Sequence, residues 1–271
     1  MILVDGQPAT AVSALDRGLN YGDGLFETLR VHRGELPLLV HHLARLAGGC
    51  ERLDMAYPGD ALLAAELGQV AAAGPGDAVI RLTLTRGEGG RGYAPPSGST
   101  PRRILARHPL PAWPARSCVV GTCRSRLGHS PTLAGLKHLG RLEQVLAAGE
   151  VARAGWDEGL MLDADGQVIE GTRHNLWFLR GGALWTPPVT SAGVAGLVRG
   201  LVLAALDRLG LPGGVASLRY DELHEVEGLV LCNAVVGLRV VTALDGRELP
   251  VAVVPPSLRG DLRAAGLRWL E

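Results

Sequence analysis

Apolar and polar positions recur along this chain in patterns that predict helices and strands in both halves. From Leu39 to Asp54 the apolar residues Leu39, Leu43, Leu46, Cys50 and Leu53 return every three or four positions, the spacing of one helix face. A second helix is predicted within 60–73. FETLRVHRGELPLL (26–39) reads as a hairpin, its β-branched and aromatic residues flanking a turn at Arg33-Gly34. Residues 77–86 (DAVIRLTLTR) alternate as a strand. RHPLPAWPARS (107–117) holds three prolines and no sustained period, so it reads as a linker. Beyond it, SCVVGTC predicts a strand, and Leu139, Leu142, Val145 and Leu146 predict a helix over about 138–153. EGLMLDADGQVIEG predicts a hairpin turning at Asp163–Gly166, and NLWFLRGGALWT another turning at Gly181-Gly182. A helix near 195–209, the strands GLVLCN and LRVVTAL, and a final helix ending at Trp269 complete the pattern. Strands and helices mix without strict βαβ alternation. The expected fold is therefore α+β in two domains: 1–108, a linker at 109–117, and 118–271, which carries the lysine.

Composition narrows the class. The 271 residues can bury a sizeable core unaided, and with 47% apolar but 4% aromatic residues that core must be Leu, Val and Ala. Lys+Arg and Asp+Glu both total 27, which excludes the net positive footprint of a nucleic-acid binder and the composition of an acidic disordered chain. Eighteen apolar residues never run together, so no membrane span is expected. MILVDGQPAT carries Asp5 and lacks the apolar core of a secretory signal. Cys50, Cys118, Cys123 and Cys232 form no CxxC pair and read as buried thiols of a reducing compartment, hence a cytoplasmic protein.

Several motifs lead nowhere. GEGGRG (87–92) matches GxGxxG formally, but GYAPPSGSTP follows where a dinucleotide site needs a helix N-terminus, and no ribose-binding acid follows in range. There is no HExxH, and the adjacent His41 and His42 diverge on a helix, so a surface or capping role is expected for both and no metal site. No GxSxG elbow is present. From Gly89 to Leu142 the chain has nine cations and no carboxylate, which suits a small anion or an arginine-rich solvated surface.

Of the 27 basic side chains one alone, Lys137, is lysine, so any chemistry needing a lysine amine falls there. Its surroundings fit neither a phosphate loop nor a kinase strand. At the start of the expected 138–153 helix it would meet the positive end of the macrodipole, which lowers its pKa and favours imine formation. The same spacing also describes an ordinary surface lysine.

DRGLNYGDGLFETLR, HHLARL, LAGLKHLGRLEQV, VIEGTRHNLW and GVAGLVRG occur in the order found in fold-type IV pyridoxal-phosphate enzymes, and from Asp16 to Val241 the chain resembles that family. The family includes branched-chain and D-amino-acid aminotransferases and aminodeoxychorismate lyase. TRGEGGRGY, LAGLKHLGRLEQV and LCNAVVGL resemble the lyase in particular. The resemblance implies a two-domain fold like that of D-amino-acid aminotransferase, pyridoxal 5'-phosphate as cofactor, and a homodimer. It gives Lys137 the imine, Glu170 the pyridine nitrogen, Arg45 and the amides of Leu197 and Val198 the phosphate, and Asn175 an orienting role. From spacing alone, Arg45 is a helix-flank residue, Glu170 a hairpin-end carboxylate and Asn175 a turn residue.

The departures bear on substrate. Ala234 stands where aminotransferases bring a hydroxyl to the phosphate, and Gly92-Tyr93 after Arg91 replaces the Arg-x-His pair of the D-amino-acid enzymes. Gly140 replaces an Asn common in lyases. The reaction implied is 4-amino-4-deoxychorismate to 4-aminobenzoate and pyruvate, with Arg91 or Arg103 meeting the carboxylates of this small anionic substrate and Thr28 and Tyr93 near it. Two other readings are an aminotransferase of the same fold and a non-catalytic α+β binding protein.

Overall fold

The computed structural model describes residues 1–112 and 118–270. They fall into two compact units, Met1–Pro111 with Lys137–Gly140, and the described residues of Ala112–Leu136 with Arg141–Glu271. The C-terminal part of the expected linker, 113–117, lies outside the described residues.

The first unit contains β1 (Ile2–Val4), β2 (Gln7–Pro8), α1 (Arg17–Tyr21), β3 (Gly24–Val31), α2 (Leu39–Arg52), α3 (Asp60–Ala71), β4 (Ala78–Thr85) and β5 (Arg102–Pro109). Its strands form one antiparallel sheet in the order β2-β1-β5-β4-β3. The predicted spacing on α2 buries Leu43, Leu46 and Cys50, and α3 buries Leu63, Leu67 and Val70. Each such leucine stabilises the fold by about 1.5–3 kcal/mol through its removal from water.

Three expectations change here. The 26–39 hairpin is only a tight turn: His32 and Glu35 exchange backbone hydrogen bonds of 2.9 and 3.0 Å, and Leu39 then starts α2. Pro37 cannot donate to a ladder, so β3 pairs with β4 over its whole length instead. Residues 102–109, placed at the domain end and linker, form β5, a central strand between β1 and β4. Its arginines conceal it, because their partners come from elsewhere in the chain: Arg103 from Glu66, and Arg107 from the carbonyls of Gly74, Pro75 and Gly76.

The third concerns the lysine. Residues 137–139 run antiparallel to the start of β3, with Phe26 N donating to Lys137 O and Leu139 N to Gly24 O, each at 3.0 Å. They group with the first unit, not with the second as chain order suggests. Because their backbone bonds go to β3, no helix begins at 138.

The second unit contains β6 (Val119–Leu127), α4 (Leu142–Ala154), β7 (Glu158–Asp163), β8 (Val168–Gly171), β9 (Asn175–Arg180), β10 (Ala183–Thr186), α5 (Leu197–Leu209), β11 (Gly213–Val215), β12 (Gly228–Asn233), β13 (Gly237–Val240), β14 (Ala243–Leu244), β15 (Arg247–Glu248) and α6 (Pro256–Ala264). All ten strands join one mixed sheet, with β6 and β7 parallel on either side of the α4 crossover. Since α4 starts at Leu142, Lys137 is not at a helix N-terminus and no α4 macrodipole end meets its amine. The last helix likewise stops at Ala264, short of Trp269.

Both expected hairpins form. Asp163 Oδ1 accepts the amides of Asp165 and Gln167 in the first turn, and Gly181 and Gly182 both take positive φ in the second. Strand periodicity splits the core between the sheet's faces. Leu160, Leu162, Leu176 and Phe178 pack on one side; Met161 and Ile169 pack with Ala147 and Val151 of α4 on the other. All four cysteines are buried free thiols.

Candidate active site

In the first unit, β3 presents Glu27 to α2. His42 and Arg45, three apart, lie on the same helix face, and both reach the Glu27 carboxylate. Arg45 grips it as a fork, Nε to Oε1 at 2.7 Å and Nη2 to Oε2 at 2.5 Å, while His42 Nδ1 lies 2.6 Å from Oε2. Glu27 is 1% exposed and His42 2%. Burial alone would raise the Glu27 pKa, but the charges and hydrogen bonds of Arg45 and His42 outweigh it and hold the carboxyl at about 2. Burial pushes His42 below the usual histidine value against the pull of Glu27, and the nearby charges of Arg45 and Lys137 push the same way.

An ionised carboxylate only accepts, so Nδ1 of His42 carries the hydrogen. Its Nε2 is buried and has no hydrogen-bond partner among the described residues. Next to Glu27 on β3, Phe26 receives the Lys137 ammonium over its ring, 4.1 Å from the centroid. The first unit thus gathers Lys137, His42, Glu27 and Arg45. No local pattern marks Glu27, and His42, for which a surface or capping role is expected, is buried against it. The only signal was the His-x-x-Arg spacing, which becomes informative once a strand carboxylate is known to face it.

In the second unit Glu170 ends β8, 5% exposed. Its Oε2 accepts the Val194 amide at 2.9 Å and Asn175 Nδ2 at 3.3 Å, and Asn175 Nδ2 also donates to Val194 O at 2.8 Å. The charge of Glu170 opposes the lowering that burial imposes on Arg141 and Arg199. Val194 is bridged to Gly135, whose amide donates to Gly193 O at 2.9 Å and whose carbonyl accepts from Ala195 at 3.0 Å. Gly135 is thus anchored on the loop that holds Glu170.

That loop runs into α5 through Gly196, whose side chain cannot cap the helix. A Cβ at Gly196 would lie 1.8 Å from Asn175 Oδ1, so only glycine fits. The amides of Leu197 and Val198 open the first turn, where an anion is favoured. Arg199 points inward instead, to Thr186 Oγ1 and Pro187 O.

The substrate candidates fare unequally. Thr28 is half-buried on β3. Arg91 is exposed, and so is Tyr93, whose ring meets Tyr21 edge-on at 5.5 Å. Arg103 has a partner of its own, donating from Nε and Nη2 to Glu66 at 2.9–3.1 Å. Ala234 lies in a turn where Asn233 Oδ1 accepts the amides of Val235 and Val236. Gly140 is exposed beside His138. The carboxylate-free run is therefore less positive in space than in sequence, since Asp5, Asp16, Glu66 and Glu88 all approach Arg102 or Arg103. No helix among the described residues is long and apolar enough to cross a membrane.

Residues 24–244 match the family model described as amino-transferase class IV. The chain is 32% identical to an aminodeoxychorismate lyase of Vibrio harveyi over 97% of its own length and 99% of that protein. It is 30% identical to a putative branched-chain-amino-acid aminotransferase of Methanocaldococcus jannaschii, covering 95% and 92%. Among solved structures it resembles 4-amino-4-deoxychorismate lyase from Pseudomonas aeruginosa, with a TM-score of 0.90, 46% identity, and 97% and 98% coverage. The chain belongs to the class IV amino-transferase family.

Proposed function

We propose that this chain is a pyridoxal-phosphate-dependent lyase that converts 4-amino-4-deoxychorismate to 4-aminobenzoate and pyruvate. The observation carrying this reading is the likeness to a lyase of known structure over almost the whole of both chains. The residues fit the cofactor. Gly196 opens a cradle that a Cβ would fill, His42 Nε2 is buried and unpartnered among the described residues, and Glu170 is a buried carboxylate held by an amide and an asparagine.

In this reading Lys137 binds the cofactor through Nζ, Arg45 and the Leu197 and Val198 amides take its phosphate, and Glu170 keeps a proton on its pyridine nitrogen, with Asn175 holding Glu170 in place. When bound, pyridoxal phosphate supplies an electron sink beside the substrate amine. Lys137 Nζ would be the group placed to take the proton from ring C4 of the substrate. The carbon–oxygen bond breaks with its electron pair leaving on oxygen, the ring becomes aromatic, and Nζ returns the proton to the methylene carbon of the departing enolate, giving pyruvate. Arg91 is the first candidate for a substrate carboxylate, with Thr28 and Tyr93 as neighbours, because the Arg103 guanidinium is committed to Glu66. The reading includes a cytoplasmic location and a homodimer; sedimentation of the purified protein tests the dimer.

The test is release of 4-aminobenzoate, followed by fluorescence, and of pyruvate, followed by a coupled assay, from enzymatically generated substrate. Equal amounts of both products from wild type, lost in Lys137→Ala, are expected. A yellow wild-type protein that releases no 4-aminobenzoate but transfers amino groups between amino and oxo acids would replace the lyase with the aminotransferase reading that the archaeal relative favours. A colourless protein unaltered by added cofactor would leave the binding-protein reading.

A further inference from the structure

The glycine-rich run GEGGRG, which leads to the strand β5 and not to a helix, wraps a buried arginine of the first unit. Arg17, at the start of α1, is 3% exposed. Its backbone amide donates to Gly87 O at 2.8 Å, and the preceding Asp16 is bridged to Glu88. Gly89 then passes against the arginine's aliphatic stem so closely that a Cβ there would lie 2.6 Å from Arg17 Cδ. Beyond it the chain doubles round the guanidinium. Nη1 donates to Gly92 O at 3.1 Å and Ala94 O at 3.4 Å, and Nη2 to Tyr93 O at 2.7 Å.

The guanidinium is itself fixed. Nε donates to Asp23 Oδ2 at 2.8 Å, and Arg86 Nε donates to the same oxygen at 2.8 Å. Its carbon lies 4.9 Å from the centre of the Tyr21 ring, whose neighbour is the Tyr93 ring. Three successive carbonyls gathered by one fork leave the backbone of 92–94 little freedom, and the exposed side chains of Arg91 and Tyr93 inherit that order. Loop residues left unheld would have to be ordered by the substrate, at a cost in affinity.

We infer that Arg17 is a positioning residue: it clamps the 87–94 loop so that Arg91 and Tyr93 meet a dicarboxylate substrate preformed. The inference rests on the lyase reading for the identity of that substrate, but not for the clamp. Gly89 is part of the device, since it alone lets the loop close on the arginine stem.

The test compares wild type with Arg17→Lys and Gly89→Ala, all as holoenzyme. Gly89→Ala leaves the arginine and its ion pair in the sequence and alters only the loop, so it reports even if Arg17→Lys folds poorly. Trypsin cleavage after Arg91, mapped by mass spectrometry, reads the loop; a KM-against-kcat split reads its consequence; the cofactor absorbance and its dissociation constant control for the rest of the site. Expected are cleavage at Arg91 at least 10 times faster in both variants, KM raised about 10-fold, kcat lowered less than 3-fold, and unchanged cofactor affinity. Cleavage no faster than in wild type overturns the clamp. Faster cleavage with an unchanged KM overturns the role toward substrate. Faster cleavage in variants of a protein whose wild type releases no 4-aminobenzoate keeps the clamp and removes the lyase.

Discussion

Glu27 and Arg45 meet through two nearly parallel hydrogen bonds, of 2.7 and 2.5 Å, with the carboxylate 1% exposed and the guanidinium side chain 17% exposed. The fork fixes the guanidinium plane, and with it the direction in which Arg45 presents its remaining donor edge. Glu27→Gln keeps the shape and removes the charge. It is expected to cost about 2–4 kcal/mol at neutral pH, because Arg45 loses a buried counter-ion. The folded-state pKa of about 2 is below the ordinary value of 4.5. The stabilisation is therefore full above the unfolded value and is lost as pH falls through that window. Urea midpoints of wild type and variant should differ at neutrality and converge as pH falls below about 5. A gap unchanged down to pH 3 would show that the pair is not held by charge.

Gly196→Ala places a methyl group 1.8 Å from Asn175 Oδ1 and must displace the side chain that braces Glu170. A loss of about 1–3 kcal/mol is expected, together with cofactor affinity weakened by about 10-fold or more. Gly200→Ala, one turn further along α5 in open space, should be neutral or stabilise by up to about 1 kcal/mol. Equal cofactor affinity in the two variants, measured by equilibrium dialysis, would remove the cradle from the site.

Two arginines that look alike in the sequence should behave oppositely. Arg103→Met strands Glu66, which is 6% exposed, and should lower stability by about 2–4 kcal/mol while leaving KM within about 2-fold. Arg91→Gln should leave the melting temperature in place and raise KM about 10-fold. Steady-state kinetics beside a thermal melt decides. A raised KM in the Arg103 variant alone would transfer the carboxylate contact to that residue.

The cysteines give a prediction about reactivity. Burial raises the thiols of Cys50, Cys118 and Cys123 to about 11, and that of Cys232 to about 12. The native protein should therefore show no fast-reacting thiol toward a disulfide reagent at pH 8, and all four should react in concentrated guanidinium chloride. One rapid equivalent in the native protein would mark a thiol reached through local opening.

Periodicity made α2, α3, α5 and the two hairpins of the second unit readable, because each buries one stripe or one face. β5 was unreadable because Arg103 and Arg107 are neutralised by Glu66 and by the 74–76 carbonyls, partners far off in the sequence. Lys137 stands out as alone of its kind, but its setting is hidden: LKHLG continues the helical spacing of α4, and only the backbone bonds to β3 reveal an extended segment. Glu27 and His42 needed a strand and a helix brought together, which no local pattern announces. Glu170 and Asn175 were named through family likeness; what the structure adds is the Val194 amide and the two glycines, Gly193 and Gly196, that bring the loop against them.

The short stretch Lys137–Gly140 also orders events in time. β3 is the last strand of its sheet, and the residues that cover its outer side are made only after the whole of β6 has been synthesised. A nascent chain paused before Lys137 has every strand of the first sheet but shows a bare edge, open to pairing with other chains. The segment that delivers the lysine is thus also the one that covers the start of this edge, and a ribosome that stops early leaves a polypeptide both inert and adhesive.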